Sequence, residues 1–119
     1  MREADLVKPV QKFVSELEKA GGKPLYELTP QEARQVLREV QKDEGVKPEA
    51  KIEEIKVPLD NGREMRMLIV RPADVDDTLP VVFYIHGGGW VMGDETTHDR
   101  LIRQLADEIP AAVVFPVYT

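Results

Sequence analysis

Two hydrophobic periods divide the chain at Pro48. Before it, Val10, Phe13, Val14 and Leu17 recur at the spacing of a helix face, opened by Pro9 at the first helical position and stopped by Gly21-Gly22. A second stripe of Ala33, Val36, Leu37 and Val40 ends before Gly45. Thr29 as N-cap, Pro30 at N1 and Glu32 at N3 spell a capping box at its start. Each predicted helix has one narrow apolar face and cannot bury itself alone, so residues 1–47 are expected to form a helical cap or arm lying across another surface.

After Pro48 the period falls to two. Lys51 to Leu59 and Arg63 to Arg71 alternate apolar with charged residues, and Asp60-Asn61-Gly62 between them tolerates the positive φ of a hairpin turn. Val81-Val82-Phe83-Tyr84-Ile85 is apolar throughout, the pattern of a parallel strand covered on both faces and central in its sheet. Leu101, Ile102, Leu105, Ala106 and Ile109 predict a helix capped near Thr96 or Thr97, and Ala111 to Val117 a further strand. Strand, helix, strand makes a right-handed βαβ crossover. Residues 48–119 are thus expected to supply four strands and one helix of an α/β sheet. A sheet that stops at Thr119 with an apolar free edge is a poor independent domain, so the sheet is expected to be incomplete.

Composition narrows the partners. Hydrophobic residues at 42% and charged residues at 32% support a folded core. The net charge of −6 opposes binding to a phosphate backbone, which excludes nucleic acid as the expected partner. The apolar runs are far shorter than the roughly 20 residues of a membrane span, so no membrane is expected either. Met1 to Asp5 is charged and lacks the apolar core of a secretory signal; with no cysteine in the chain, this suits a cytoplasmic address. Two histidines without cysteines or a nearby carboxylate pair offer no metal site, and no cofactor is expected.

The chemistry concentrates in His86-Gly87-Gly88-Gly89-Trp90, at the carboxyl end of the first parallel strand, where open α/β sheets bind ligands. Consecutive glycines are justified where the backbone needs positive φ or must approach a ligand. Successive inward-turned N–H groups make a nest for negative charge, either a phosphate or the oxyanion of a tetrahedral intermediate. Phosphate fails on spacing. A G-x-G-x-x-G reading from Gly87 puts Met92 at the third glycine, and a Walker-type loop from Gly88 to Gly93 is followed by Asp94 instead of Lys. The oxyanion reading fits, because an HGGG-type loop after the third strand supplies N–H donors in lipases and esterases.

With Pro24-Leu25, Leu28-Thr29-Pro30-Gln31-Glu32-Ala33-Arg34, Gly93-Asp94 and His98-Asp99 added, the chain resembles the hormone-sensitive-lipase-like family of bacterial carboxylesterases over nearly its whole length. The resemblance implies the N-terminal part of an α/β-hydrolase fold with two cap helices, an antiparallel hairpin and then βαβ. Its sheet order would be 1-2-4-3-5, and the cap would cover the acyl pocket. It makes Gly88 and Gly89 the oxyanion-hole donors, with Gly87 shaping the turn. His86 then braces the loop, since the base of this fold comes late, in the order Ser, acid, His. Trp90 is either pocket or core, and His98 satisfies local structure. Phe115-Pro116-Val117-Tyr118 departs from the family in lacking the Asp that many relatives place just before Tyr118.

No nucleophile accompanies the loop. The one serine, Ser15, lies in the first helix between Val14 and Glu16 and has no elbow glycines around it. The chain alone is therefore expected to be inactive. A complementary C-terminal segment or chain would carry the elbow serine, acid and histidine that act on a small ester substrate. The alternative on this scaffold is a non-catalytic small-molecule-binding protein, as the plant gibberellin receptors illustrate, since fold does not fix function.

Overall fold

Both period-two segments become strands, paired residue for residue in an antiparallel hairpin. In the computed structural model, which describes residues 6–42 and 45–118, β1 (Ala50–Pro58) pairs with β2 (Glu64–Pro72) from Ala50 opposite Pro72 to Pro58 opposite Glu64. Gly62 takes φ 75° in the turn and donates its N–H to Leu59 O. Met1–Asp5, whose charge argued against a signal, and Thr119, where the sheet was expected to stop, lie outside the described residues.

Strands β3 (Val81–Phe83) and β4 (Ala112–Val117) run parallel, joined by helix α3 (Glu95–Glu108). β4 inserts between β2 and β3, giving the order β1-β2-β4-β3. This is the order the resemblance implies for the four strands present. α3 crosses one face of the sheet. Val70, Ile102, Ala106, Val113 and Phe115 form the core there, flanked by Leu68, Val82, Tyr84 and Leu105. Each such buried aliphatic or aromatic side chain contributes about 1.5–3 kcal/mol.

β3 lies at the edge among the described strands, as the order 1-2-4-3-5 implies where strand five is not among them, and its ladder ends at Phe83, short of the expected Ile85. It is also covered on one face only: Val82 and Tyr84 pack on the core, whereas Val81, Phe83 and Ile85 are 65%, 53% and 67% exposed. The continuous apolar run reports what the strand requires, and no described element lies over its second face.

The helix starts also differ in detail. α1 (Lys8–Ala20) begins one residue before Pro9, with Val7 at the N-cap. α2 (Pro30–Val40) has the predicted capping box, with the Glu32 carboxylate accepting from Thr29 N–H and Thr29 Oγ1 accepting from Glu32 N–H. α3 is capped by Asp94, not by Thr96 or Thr97; those threonines donate their N–H groups to Asp94 Oδ1. An ionised carboxylate accepts several N–H groups at once and suits the positive helix end, so it takes the position ahead of a hydroxyl. No helix among the described residues is long and apolar enough to cross a membrane.

Candidate active site

The glycine loop leaves β3 where its hydrogen-bond ladder ends, after Tyr84 N–H donates to Val114 O at 2.9 Å. His86 turns inward and is only 3% exposed. Its ring stacks on Phe115 at 5.3 Å and on Tyr118 at 4.4 Å, with His98 5.1 Å away at a tilt. Nδ1 lies 2.7 Å from Gly87 O, and because a carbonyl oxygen can only accept, Nδ1 carries the proton.

Three successive carbonyls of the loop are tied down. His86 O accepts from the Tyr118 hydroxyl, Gly87 O from His86 Nδ1, and Gly88 O from both Val91 N–H (3.2 Å) and Met92 N–H (2.9 Å). In a trans peptide the N–H points opposite to the C=O, so fixing these three oxygens fixes the N–H groups of Gly87, Gly88 and Gly89 in the opposite sense. None of those N–H groups has a partner among the described residues. They border an open cleft of about 280 Å³ lined by Ile85, His86, Trp90 and Tyr118 with the three glycines.

Glycine is required at some of these positions and not at others. Gly88 has φ 136°, and a Cβ there would sit 1.8 Å from Met92 O. Gly89 has φ 61° with open space around a would-be Cβ. Gly87 has neither a positive φ nor a neighbour within 4 Å, so Gly88 and Gly89 shape the turn, and Gly87 contributes its carbonyl to His86. Gly93, at φ 93°, would bring a Cβ within 2.8 Å of His86 Nδ1. It is the glycine that lets the histidine reach Gly87.

Helix α2 grips the loop from behind. Arg34 Nε donates to Val91 O at 2.7 Å, and the Arg38 guanidinium pairs with Asp94 at 2.6 Å. Burial alone would raise the Asp94 carboxyl. The Thr96 hydroxyl, the Thr97 N–H and Arg38 outweigh that and hold it at about 2. The loop and the start of α3 are thus fastened to the same helix at two points.

Residues 82–119, which include the loop, match the family model described as the alpha/beta hydrolase fold. The chain is 40% identical over 110 residues to an alpha/beta hydrolase of Acanthamoeba polyphaga mimivirus, a match covering 92% of this chain and 30% of the viral protein. It is also 40% identical over 82 residues to a carboxylesterase of Mycobacterium tuberculosis, covering 69% of this chain and 26% of that one. A thermostable esterase from Pseudomonas putida superposes with a TM-score of 0.85 at 41% identity, covering 96% of this chain and 36% of the esterase. The chain belongs to the α/β-hydrolase family. It spans about a third of the length of the relatives it matches.

In this α/β hydrolase the other candidate residues sort by burial. Trp90 takes φ 59° and is 90% exposed, at the lip of the cleft. A bulky residue held at positive φ stores strain of about 1–3 kcal/mol, as residues at ligand sites often do. His98 Nδ1 lies near Thr97 Oγ1 and Asp94 O at its own helix start, while its ring packs beside His86, Tyr84 and Phe115. Ser15 lies within α1, in no turn that could present it as a nucleophile. Sequence reasoning missed Arg38 and gave Arg34 no role beyond the resemblance, because each reaches a partner more than 50 residues away. The missed signal was their spacing: Arg34 and Arg38, four apart, share one face of a capped helix.

Proposed function

We propose that this chain supplies the cap and the oxyanion loop of a serine carboxylesterase of the hormone-sensitive-lipase-like class acting on small acyl esters. Gly88 and Gly89 N–H are the loop's donors, His86 and Gly87 are its supports, and Trp90 is a wall of the pocket. The reading is carried by one observation: three consecutive carbonyls are anchored and the amides behind them are left unpaired beside a cleft. When a serine Oγ attacks an ester carbonyl, the carbonyl oxygen takes up the electron pair, and preorganised N–H donors stabilise that charge without reorganising. The 119 residues hold no Gly-x-Ser-x-Gly elbow, so nucleophile, acid and base come from a complementary segment or chain. In this reading residues 1–47 are the cap and residues 48–119 the first half of the core sheet. The proposal includes a cytoplasmic address, which the cysteine-free composition suits.

A chimera tests this. Residues 6–118 replace the matched third of the Pseudomonas putida esterase, and initial rates are measured on an activated acetate ester. Retained turnover that falls about a hundredfold or more with Gly88→Pro, which deletes one N–H and cannot take up φ 136°, is the expected result. A folded chimera without turnover would overturn the esterase reading, and an active one indifferent to Gly88→Pro would remove Gly88 from the donor set.

A further inference from the structure

A hydrogen-bonded peptide group accepts at its oxygen and donates from the opposite end, so a series of them forms a directed path. One such path runs from the cap helix to the glycine loop. Arg34 Nε donates to Val91 O at 2.7 Å; the same peptide unit presents Met92 N–H, which donates to Gly88 O at 2.9 Å. The next unit presents Gly89 N–H, which has no partner among the described residues. Every link donates in the same direction, and a guanidinium cation stands at the rear.

We propose that Arg34 is a positioning residue that fixes and polarises Gly89 N–H through two peptide groups, making helix α2 a working part of the oxyanion hole. This rests on the reading of Gly89 as an oxyanion donor. Aligned hydrogen bonds polarise one another, by roughly 10–30% per bond in condensed phase, and a charged donor strengthens the first link. Arg38 does not share this role. It ends on the Asp94 carboxylate, which offsets its charge on the spot, whereas Arg34 ends on a neutral carbonyl that passes the polarisation on. The arrangement also explains why Val91 O, on a tight turn, is held by a side chain from so distant a helix. Val91 N–H and Met92 N–H both point at Gly88 O, and anchoring the carbonyl between them keeps that turn closed.

The test reads the Gly89 amide directly, in the full chain labelled with ¹⁵N-glycine. Arg34→Ala should move the Gly89 amide proton upfield and speed its exchange with solvent, while Gly62 in the hairpin turn stays in place. Arg34→Lys should largely restore the shift, and Arg34→Gln, which keeps a donor without the charge, should fall between. A Gly89 amide unmoved in all three variants, with Gly62 native, overturns the proposal. Should Arg34→Ala displace Gly62 as well, the ranking of Lys above Gln decides: equal shifts in those two defeat the charge relay. In the esterase chimera, Arg34→Ala should lower kcat about tenfold and leave KM within about twofold, the mark of an interaction made in the transition state. A moved amide in a chimera that never turns over sinks the esterase reading and leaves the relay standing. An unmoved amide in an active chimera sinks the relay alone.

Discussion

Helices α1 and α2 are both amphipathic and similar in length, yet they are held differently among the described residues. α1 has no side-chain cap and no buried residue, and Val10, Phe13 and Leu17 on its apolar face are each more than 40% exposed. α2 has a capping box, buries Ala33, and sends Arg34 and Arg38 into the glycine loop and the cap of α3. The apolar stripe therefore shows that a helix needs a partner surface. Polar anchors of defined geometry show which surface it is, and these two arginines make the helix part of the site.

The largest effect should come from the loop that α2 grips. Gly88→Ala places a Cβ against Met92 O at a positive φ, costing about 1–3 kcal/mol from the backbone alone and opening the turn that aims Gly89 N–H. In the chimera, turnover should fall about a hundredfold or more. Gly87→Ala meets no neighbour and should leave thermal stability within about 0.5 kcal/mol. Initial rates and melting curves of the two variants separate a turn made by two glycines from one that needs all three.

That contrast marks how far the sequence carries. Whereas the sheet order is implied by the family resemblance, the hairpin, the succession of strand, helix and strand, the α2 capping box and the place of the glycine loop follow from local periods and caps, because they depend on residues a few positions apart. Which glycines are obligatory did not, since Gly88 is constrained by a backbone oxygen four residues on and Gly93 by the His86 ring. The cap of α3 falls two residues before Thr96 because an ionised Asp94 accepts both threonine N–H groups, a preference the apolar stripe of the helix does not encode. The apolar run of β3 records every surface the strand meets, including those no described element provides.

A smaller effect tests the second anchor of α2 by pH. The Asp94 carboxyl, held at about 2 against an ordinary 3.8, stabilises the fold fully above the ordinary value and loses that contribution as pH falls from about 4 to about 2. The shift corresponds to about 2 kcal/mol, reasonable for a side chain only 10% exposed. Urea midpoints measured from pH 5 down to pH 2 should therefore fall more steeply for the native chain than for Asp94→Asn. The asparagine keeps a cap but has no charge to lose. Parallel curves would mean that Arg38 and the threonines contribute nothing beyond a neutral cap.

The smallest effect belongs to α1, and it carries the comparison furthest. Phe13 is 47% exposed and Leu17 43%, so Phe13→Gln or Leu17→Gln removes contacts that are only half made and should lower the unfolding free energy of this chain, from urea titration, by less than about 0.5 kcal/mol. Both residues border an apolar groove with Leu25, Val36, Leu37 and Met92, the last of these belonging to the turn that α2 holds. Transferred into the chimera, the same substitutions acquire whatever surface the rest of the esterase lays over that groove. If their cost there rises to the roughly 2 kcal/mol of a buried side chain, α1 is a helix whose partner lies in the other two-thirds of the enzyme. If it stays below 0.5 kcal/mol in both settings, α1 is a solvated arm, and the grip on the glycine loop belongs to α2 alone.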